Sequence, residues 1–245
     1  MNPDEGIATN DGKSLPESNP TVNATLRFVL RRTGERIVQR IVVLGVDLAG
    51  SPKRPTGICH LKGLHASTRL AYRDEEILAC ADADVRLVAI DAPLSLPRGR
   101  CCLRADCTCA GTAHFRQCDL DLRTLGIKFF PLTIGPMRML TERGMRLKDE
   151  FEKRGFTVIE TFPGGAQDIW GIPRQKRPRE LRAGLKKLGV KGDIGKHSIS
   201  PHELDAITCA LAGRCYLRSQ FLATGEPDEG QIILPRPSKR HLMGN

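Results

Sequence analysis

The run Ile41-Val42-Val43-Leu44-Gly45-Val46 ends on Asp47, which is followed by Leu48-Ala49-Gly50-Ser51. An apolar run without alternation describes a strand covered on both faces of a sheet. A carboxylate at the end of such a strand is costly to bury unless something offsets its charge. Asp ahead of Gly and Ser also fits a simple turn. What Asp47 does therefore depends on what the rest of the chain brings to the same place.

Four further strands are predicted. Residues 56–61 and 67–72 follow at hairpin spacing, so they should run antiparallel. Residues 86–90 lead into Asp91-Ala92-Pro93, and residues 157–159 lead into Glu160-Thr161-Phe162-Pro163. Helices are predicted over 74–83, over 137–154 with Leu140, Leu147 and Phe151 at helical spacing, and over 200–220. The last has Ser200 as cap, Pro201 in the first position and Glu203 completing a capping box. The order implies an α/β fold with a mixed five-stranded sheet flanked by helices. A polar, disordered tail is expected over residues 1–24, one domain over 25–236, and a second tail over 237–245. Residues 24–39 are basic and mildly apolar, and fit either helix or strand.

Three strands thus end on acids: Asp47, Asp91 and Glu160. Asp205 lies in the first turns of the last helix, on the side that carries Ala206, Cys209 and Ala212. Small residues there would let the helix lie close on the sheet. If the three strands run the same way, four carboxylates converge and repel one another. Mg²⁺ or Mn²⁺ relieves such a cluster, and a pair of ions about 4 Å apart supports phosphodiester hydrolysis. Taken singly, Asp91 also fits a turn cap, Glu160 a surface charge, and Asp205 a favourable charge near a helix N-terminus.

Residues 94–118 form a cysteine-rich insert without clear periodicity. Cys101, Cys102, Cys107, Cys109, His114 and Cys118 offer soft ligands, any four of which would make a tetrahedral zinc site. An iron–sulfur cluster or free thiols are the alternatives. Cys59, Cys80, Cys209 and Cys215 fall in apolar patterns and read as small buried hydrophobes.

The formal charge of +10 favours an acidic partner, nucleic acid first. Arg98, Arg100 and Arg104 follow the Asp91 motif and are placed to hold a phosphate, as are Arg116 and Arg123. Residues 174–196, with Arg174, Lys176 and Arg177 among their cations, read either as a solvated face or as a polyanion surface. Aromatic content of 4% argues against extensive base stacking, and Trp170 reads as packing. No apolar run approaches the roughly 18 residues that span a bilayer, and the first residues lack the layout of a signal peptide. A cytoplasmic protein without a membrane partner is expected.

Taken together, G-V-D-L-A-G, A-I-D-A-P-L-S-L-P, R-Q-C-D-L-D-L-R, I-E-T-F-P-G and H-E-L-D-A-I-T-C-A-L resemble the family known as domain of unknown function 429. That resemblance runs from about Val42 to Pro235 and implies a ribonuclease H-like fold and a nuclease activity. It carries the family's acids onto Asp47, Asp91, Glu160 and Asp205. The last helix also resembles that of RuvC-type resolvases, in which an acid or His stands three residues before the final Asp. His202 occupies that place, as a ligand or proton-transfer group, or else as an ordinary histidine of a first helical turn. Two other functions remain open: a catalytically silent nucleic-acid-binding protein, and a phosphotransferase of the actin-like kinase clan, whose phosphate hairpin D-L-A-G-S is similar to.

Overall fold

Strand β1, Val42–Asp47, is buried along its whole length and forms the centre of the sheet. Its side chains alternate between two cores. Val42, Leu44 and Val46 face one layer, while Val43 faces the other. The computed structural model describes residues 41–111 and 113–237; the tail expected over 1–24, the segment 25–40, and all but the first residue of the tail expected over 237–245 lie outside the described residues.

Strands β2, Thr56–Lys62, and β3, His65–Ala71, continue from β1 as an antiparallel meander. On the other side of β1, β4 (Val85–Asp91) pairs in parallel, and β5 (Thr157–Thr161) pairs in parallel with β4. All five expected strands are present. The sheet nevertheless has eight strands, not five: β6 (Lys191–Gly192) adds to β3, while β8 (Ile232–Pro235) and β7 (Phe221–Thr224) extend it beyond β5. These three strands are two to four residues long, too short to show a strand period in sequence.

Among the described residues six helices cover the sheet: α1 (Asp74–Leu78), α2 (Gln117–Thr124), α3 (Gly135–Lys153), α4 (Pro163–Trp170), α5 (Pro178–Lys187) and α6 (Pro201–Leu217). Ile77 and Leu78 of α1 and Leu147 and Phe151 of α3 close one face. Leu181 and Leu185 of α5 and Leu204, Ala206, Ile207 and Ala210 of α6 close the other. Helix α1 is shorter than expected: after Leu78 the Cys80 and Ala81 N–H groups donate to the Ile77 and Leu78 carbonyls three residues back, which tightens and closes the helix. No helix among the described residues is long and apolar enough to cross a membrane.

Helix α6 lies on the sheet with almost no side chain between. A Cβ on Gly45 would stand 2.1 Å from the Ala206 carbonyl oxygen, and one on Gly57 2.0 Å from that of His202. The two glycines of adjacent strands, opposite the small residues of α6, set the height at which this helix rests. Its start is fixed by Ser200 Oγ accepting from the Glu203 N–H and by Glu203 Oε2 accepting from the Ser200 N–H. Glu203 Oε1 also accepts from Thr68 Oγ1 of β3 at 2.7 Å, which ties the cap to the sheet.

Gly57→Ala should therefore lift the first turn of α6 and destabilise the protein by about 1–3 kcal/mol or more, as overpacking does. Denaturant unfolding measures this. An unchanged midpoint would contradict the direct backbone contact.

Candidate active site

Asp47 and Asp91 are register partners at the carboxyl ends of the parallel strands β1 and β4. Strand alternation turns both toward α6, on the side of Val43, Leu87 and Ala89. From α6, His202 Nδ1 reaches Asp47 Oδ2 at 2.8 Å. Asp205 lies one turn further in, its Oδ1 accepting from Gln167 Nε2 at 2.7 Å. Gln167, at the buried end of α4, also reaches Thr208 Oγ1 at 3.2 Å. Asp47, Asp91, Asp205 and His202 thus gather at one place, as their sequence positions suggest.

Glu160 does not join them in the expected way. It pairs with Ile90, not with Asp91, so its side chain leaves the sheet on the opposite face. There Arg116 donates to both of its oxygens, Nη1 to Oε2 and Nη2 to Oε1, each at 2.7 Å. The Leu94 N–H donates to Oε2 at 2.8 Å. Arg116 is 1% exposed and also pairs with Asp119, at 2.9 Å. This guanidinium is a buried structural counter-ion, committed to two carboxylates and not open to a substrate phosphate. The carboxylate expected to complete a metal shell is instead neutralised by protein.

Burial raises the Glu160 carboxyl, but there Arg116 and the Leu94 N–H pull it back, a compensation that the other site lacks. Burial, with Asp47 and Asp205 close by, pushes the Asp91 carboxyl well above the usual range; Glu160 adds to the repulsion. Burial and the Asp47 charge push Asp205 up to about 7, against the pull of Gln167. The His202 imidazole is raised by its hydrogen bond to Asp47. No Lys or Arg forms an ion pair with Asp47, Asp91 or Asp205 among the described residues.

Two further positioning residues left no sequence signal. Besides Gln167, buried Arg143 of α3 donates to the carbonyls of Ala49 and Tyr72, both at 2.6 Å, and to Asp74 at 2.7 Å. It fastens the turn that follows Asp47.

The other expected cations are dispersed. Arg98 pairs with Asp228, Arg104 with Asp106, Arg177 with Glu180 and Arg174 with Asp168. Arg100 is spent on backbone carbonyls of the cysteine insert. Arg123 stacks on Phe115, 4.8 Å from the ring centroid. Arg179, Lys186, Lys187 and Lys191 are exposed and make no ion pair among the described residues. A cavity of about 270 Å³ opens beside Asp91, lined in part by Lys128, Phe129, Phe162 and Arg174.

Of the six soft ligands in the insert, Cys101, Cys102, Cys107 and Cys109 come together, with their sulfurs all within 4.8 Å of one another. Such a set could hold a metal ion such as zinc. His114 stands aside near Arg100. Cys118 is buried in an apolar cluster with Leu122, Ile127, Ile232 and Leu234.

Two outcomes are expected. In metal-free protein, Asp205 and Asp91 hold protons that they lose on unfolding, so stability falls as pH rises from about 4 toward 7. The raised imidazole of His202 acts in the same direction, because its pairing is lost as pH climbs. Asp205→Asn should raise the melting temperature at pH 8 and have little effect at pH 4; equal shifts at both would contradict the crowding. Arg116→Ala should cost about 3–5 kcal/mol, since it strands Glu160 and Asp119. A loss below 1 kcal/mol in chemical denaturation would show that the pair is not buried as described.

Comparison with known proteins adds no relative: no protein-family model, curated protein or solved structure matches this chain.

Proposed function

We propose that this protein is a divalent-metal-dependent nuclease of ribonuclease H-like fold, hydrolysing phosphodiester bonds of nucleic acid. The observation that carries the reading is the in-register pair Asp47 and Asp91, crowded by Asp205, with no Lys or Arg among the described residues paired to any of them and only the His202 imidazole on Asp47. Three carboxylates at one end of the sheet would suit Mg²⁺ or Mn²⁺ once they close on the ion, since as placed their oxygens are not all within 4.8 Å of one another; Glu160, already neutralised, needs none. The order β3-β2-β1-β4-β5, with β2 alone antiparallel to its neighbours, supports the fold assignment. So does the position of the last acid on a helix laid across β1.

Each residue then has a role. Asp47 is central, in reach of both α6 and β4, and with Asp91 and Asp205 would hold the ions. Bound there, the ions would supply Lewis acidity and a nucleophilic water at neutral pH. His202 is half-exposed at the rim, and its contact with Asp47 orients the imidazole to pass a proton between the site and solvent. Gln167 holds the Asp205 carboxylate in place. The cavity beside Asp91 would offer Lys128 to a backbone phosphate and Phe129 to a base, while Arg174 at its wall is held by Asp168 over the Phe162 ring.

Against a two-lobed phosphotransferase, the described sheet contains one three-stranded meander, where that architecture requires two.

Labelled single-stranded, duplex, hybrid and branched nucleic acids incubated with Mg²⁺, Mn²⁺ or EDTA test the reading. Cleavage is expected with metal and not with EDTA, and Asp47→Asn should reduce it by at least about a hundredfold, the scale of a lost catalytic group. His202→Ala should leave slower, metal-dependent cleavage with an altered pH profile. Salt-sensitive binding of these substrates without cleavage under any metal would favour the silent binding protein instead.

A further inference from the structure

The chain between Asp91 and α2 has little means of its own to hold a shape. From residue 98 to residue 115, only Leu103 and Cys109 are buried among the described residues, and one short 3-10 turn, Thr108–Gly111, is the only regular structure. Yet both ends of this loop must be placed closely, because both meet Glu160. The Leu94 N–H and Arg116 Nη1 donate to the same oxygen, Oε2, and Arg116 Nη1 also reaches Ser95 Oγ at 3.1 Å.

The four cysteines lie inside that loop. Cys101 Sγ is 3.5 Å from Cys107 Sγ and 3.5 Å from Cys109 Sγ; Cys109 is 3.3 Å from Cys107 and 3.9 Å from Cys102. Disulfides require about 2.0 Å, so none of these is one. A tetrahedral ion with metal–sulfur bonds of about 2.3 Å places its sulfurs about 3.8 Å apart. The four separations scatter around that edge. An iron–sulfur cluster would spread them further, since its thiolates bind different irons.

The surroundings also suit a charged centre. Four thiolates around a divalent ion leave a net charge of −2, and cations stand close. Arg100 donates to the carbonyls of Ala110 and Ala113, both at 2.7 Å, and to that of Cys102 at 3.4 Å, lacing the two sides of the loop together. Arg104 stands near Cys102 and Cys107. These arginines serve the insert, as counter-charges and backbone clamps, where the sequence suggested substrate contacts.

We propose that Cys101, Cys102, Cys107 and Cys109 bind one structural zinc ion, and that this ion shapes the loop so that Arg116 arrives at Glu160. The site is independent of the carboxylate site and of any nuclease activity. A closed set of four thiolates leaves no open position for substrate, so the role is architectural.

The test starts with the intact, reduced chain. Metal analysis should give one zinc per chain. Replacement by Co²⁺ should produce the intense thiolate-to-metal charge-transfer band and the visible bands of a tetrahedral all-sulfur site. His114→Ala should keep both the stoichiometry and the spectrum, while Cys107→Ser should weaken zinc binding at least tenfold in competition with a chelating dye. Stripping zinc from the wild-type chain should lower the melting temperature and speed amide exchange across residues 94–116, the Leu94 N–H included. The proposal is overturned by a reduced chain that binds neither Zn²⁺ nor Co²⁺, by iron in place of zinc, or by a His114→Ala chain that loses the ion. Zinc removal that leaves exchange at Leu94 unchanged overturns the link to Arg116. None of these readouts depends on cleavage of nucleic acid.

Discussion

Backbone rests on backbone where α6 crosses β1 and β2, and the candidate active site is a consequence of that contact. Gly45 and Gly57 present no side chain, and α6 answers with small residues, so the helix axis comes as near the sheet as an α-helix can. At that height the first two turns of α6 carry His202 and Asp205 to the ends of the strands that hold Asp47 and Asp91. A helix resting on ordinary side chains would have to sit higher, because a Cβ at either glycine would meet the α6 backbone at 2.0–2.1 Å. The acids would then be separated by solvent.

Two groups of carboxylates near the strand ends are treated differently. Glu160 and Asp119 share Arg116, a planar donor that satisfies both with short paired hydrogen bonds. Asp47, Asp91 and Asp205 share only one another, Gln167 and a half-exposed histidine. Protonation is the response available to the chain alone, and it appears as the raised carboxyls of Asp91 and Asp205. Structure elsewhere in the chain avoids such arrangements; its retention where two parallel strands end is the signature expected of a site that works with a cation. Under the proposed reading, a zinc ion in the cysteine loop would complete the division, serving the neutralised pair and leaving the open acids to a cation of their own.

Much of this was legible in the sequence. Long or clearly patterned segments read correctly: the unbroken apolar run into Asp47, the capped helix from Ser200, and the hairpin spacing of β2 and β3. Asp47, Asp91, Asp205 and His202 could be placed together because strand ends and helix starts are marked by turn and cap residues. Glu160 was expected at a strand end beside Asp91, but β5 runs on to Thr161 and pairs Glu160 with Ile90, and a one-residue offset in register, which sequence does not show, reverses the face. Gln167, Arg116 and Arg143 act through partners distant in sequence, which no local pattern reveals. Cys118 and His114 share the spacing of the ligand cysteines, yet one begins a helix facing an apolar cluster and the other stays near Arg100.

The most direct measurement is anomalous diffraction from crystals of the wild-type protein soaked in Mn²⁺. One or two manganese peaks within bonding distance of Asp47 and Asp91, with Asp205 as a further ligand, are expected, and Glu160 should remain on Arg116. Crystals that hold manganese only elsewhere, or show the three carboxylates protonated and hydrogen-bonded to one another with no ion at saturating Mn²⁺, would contradict a metal-dependent site.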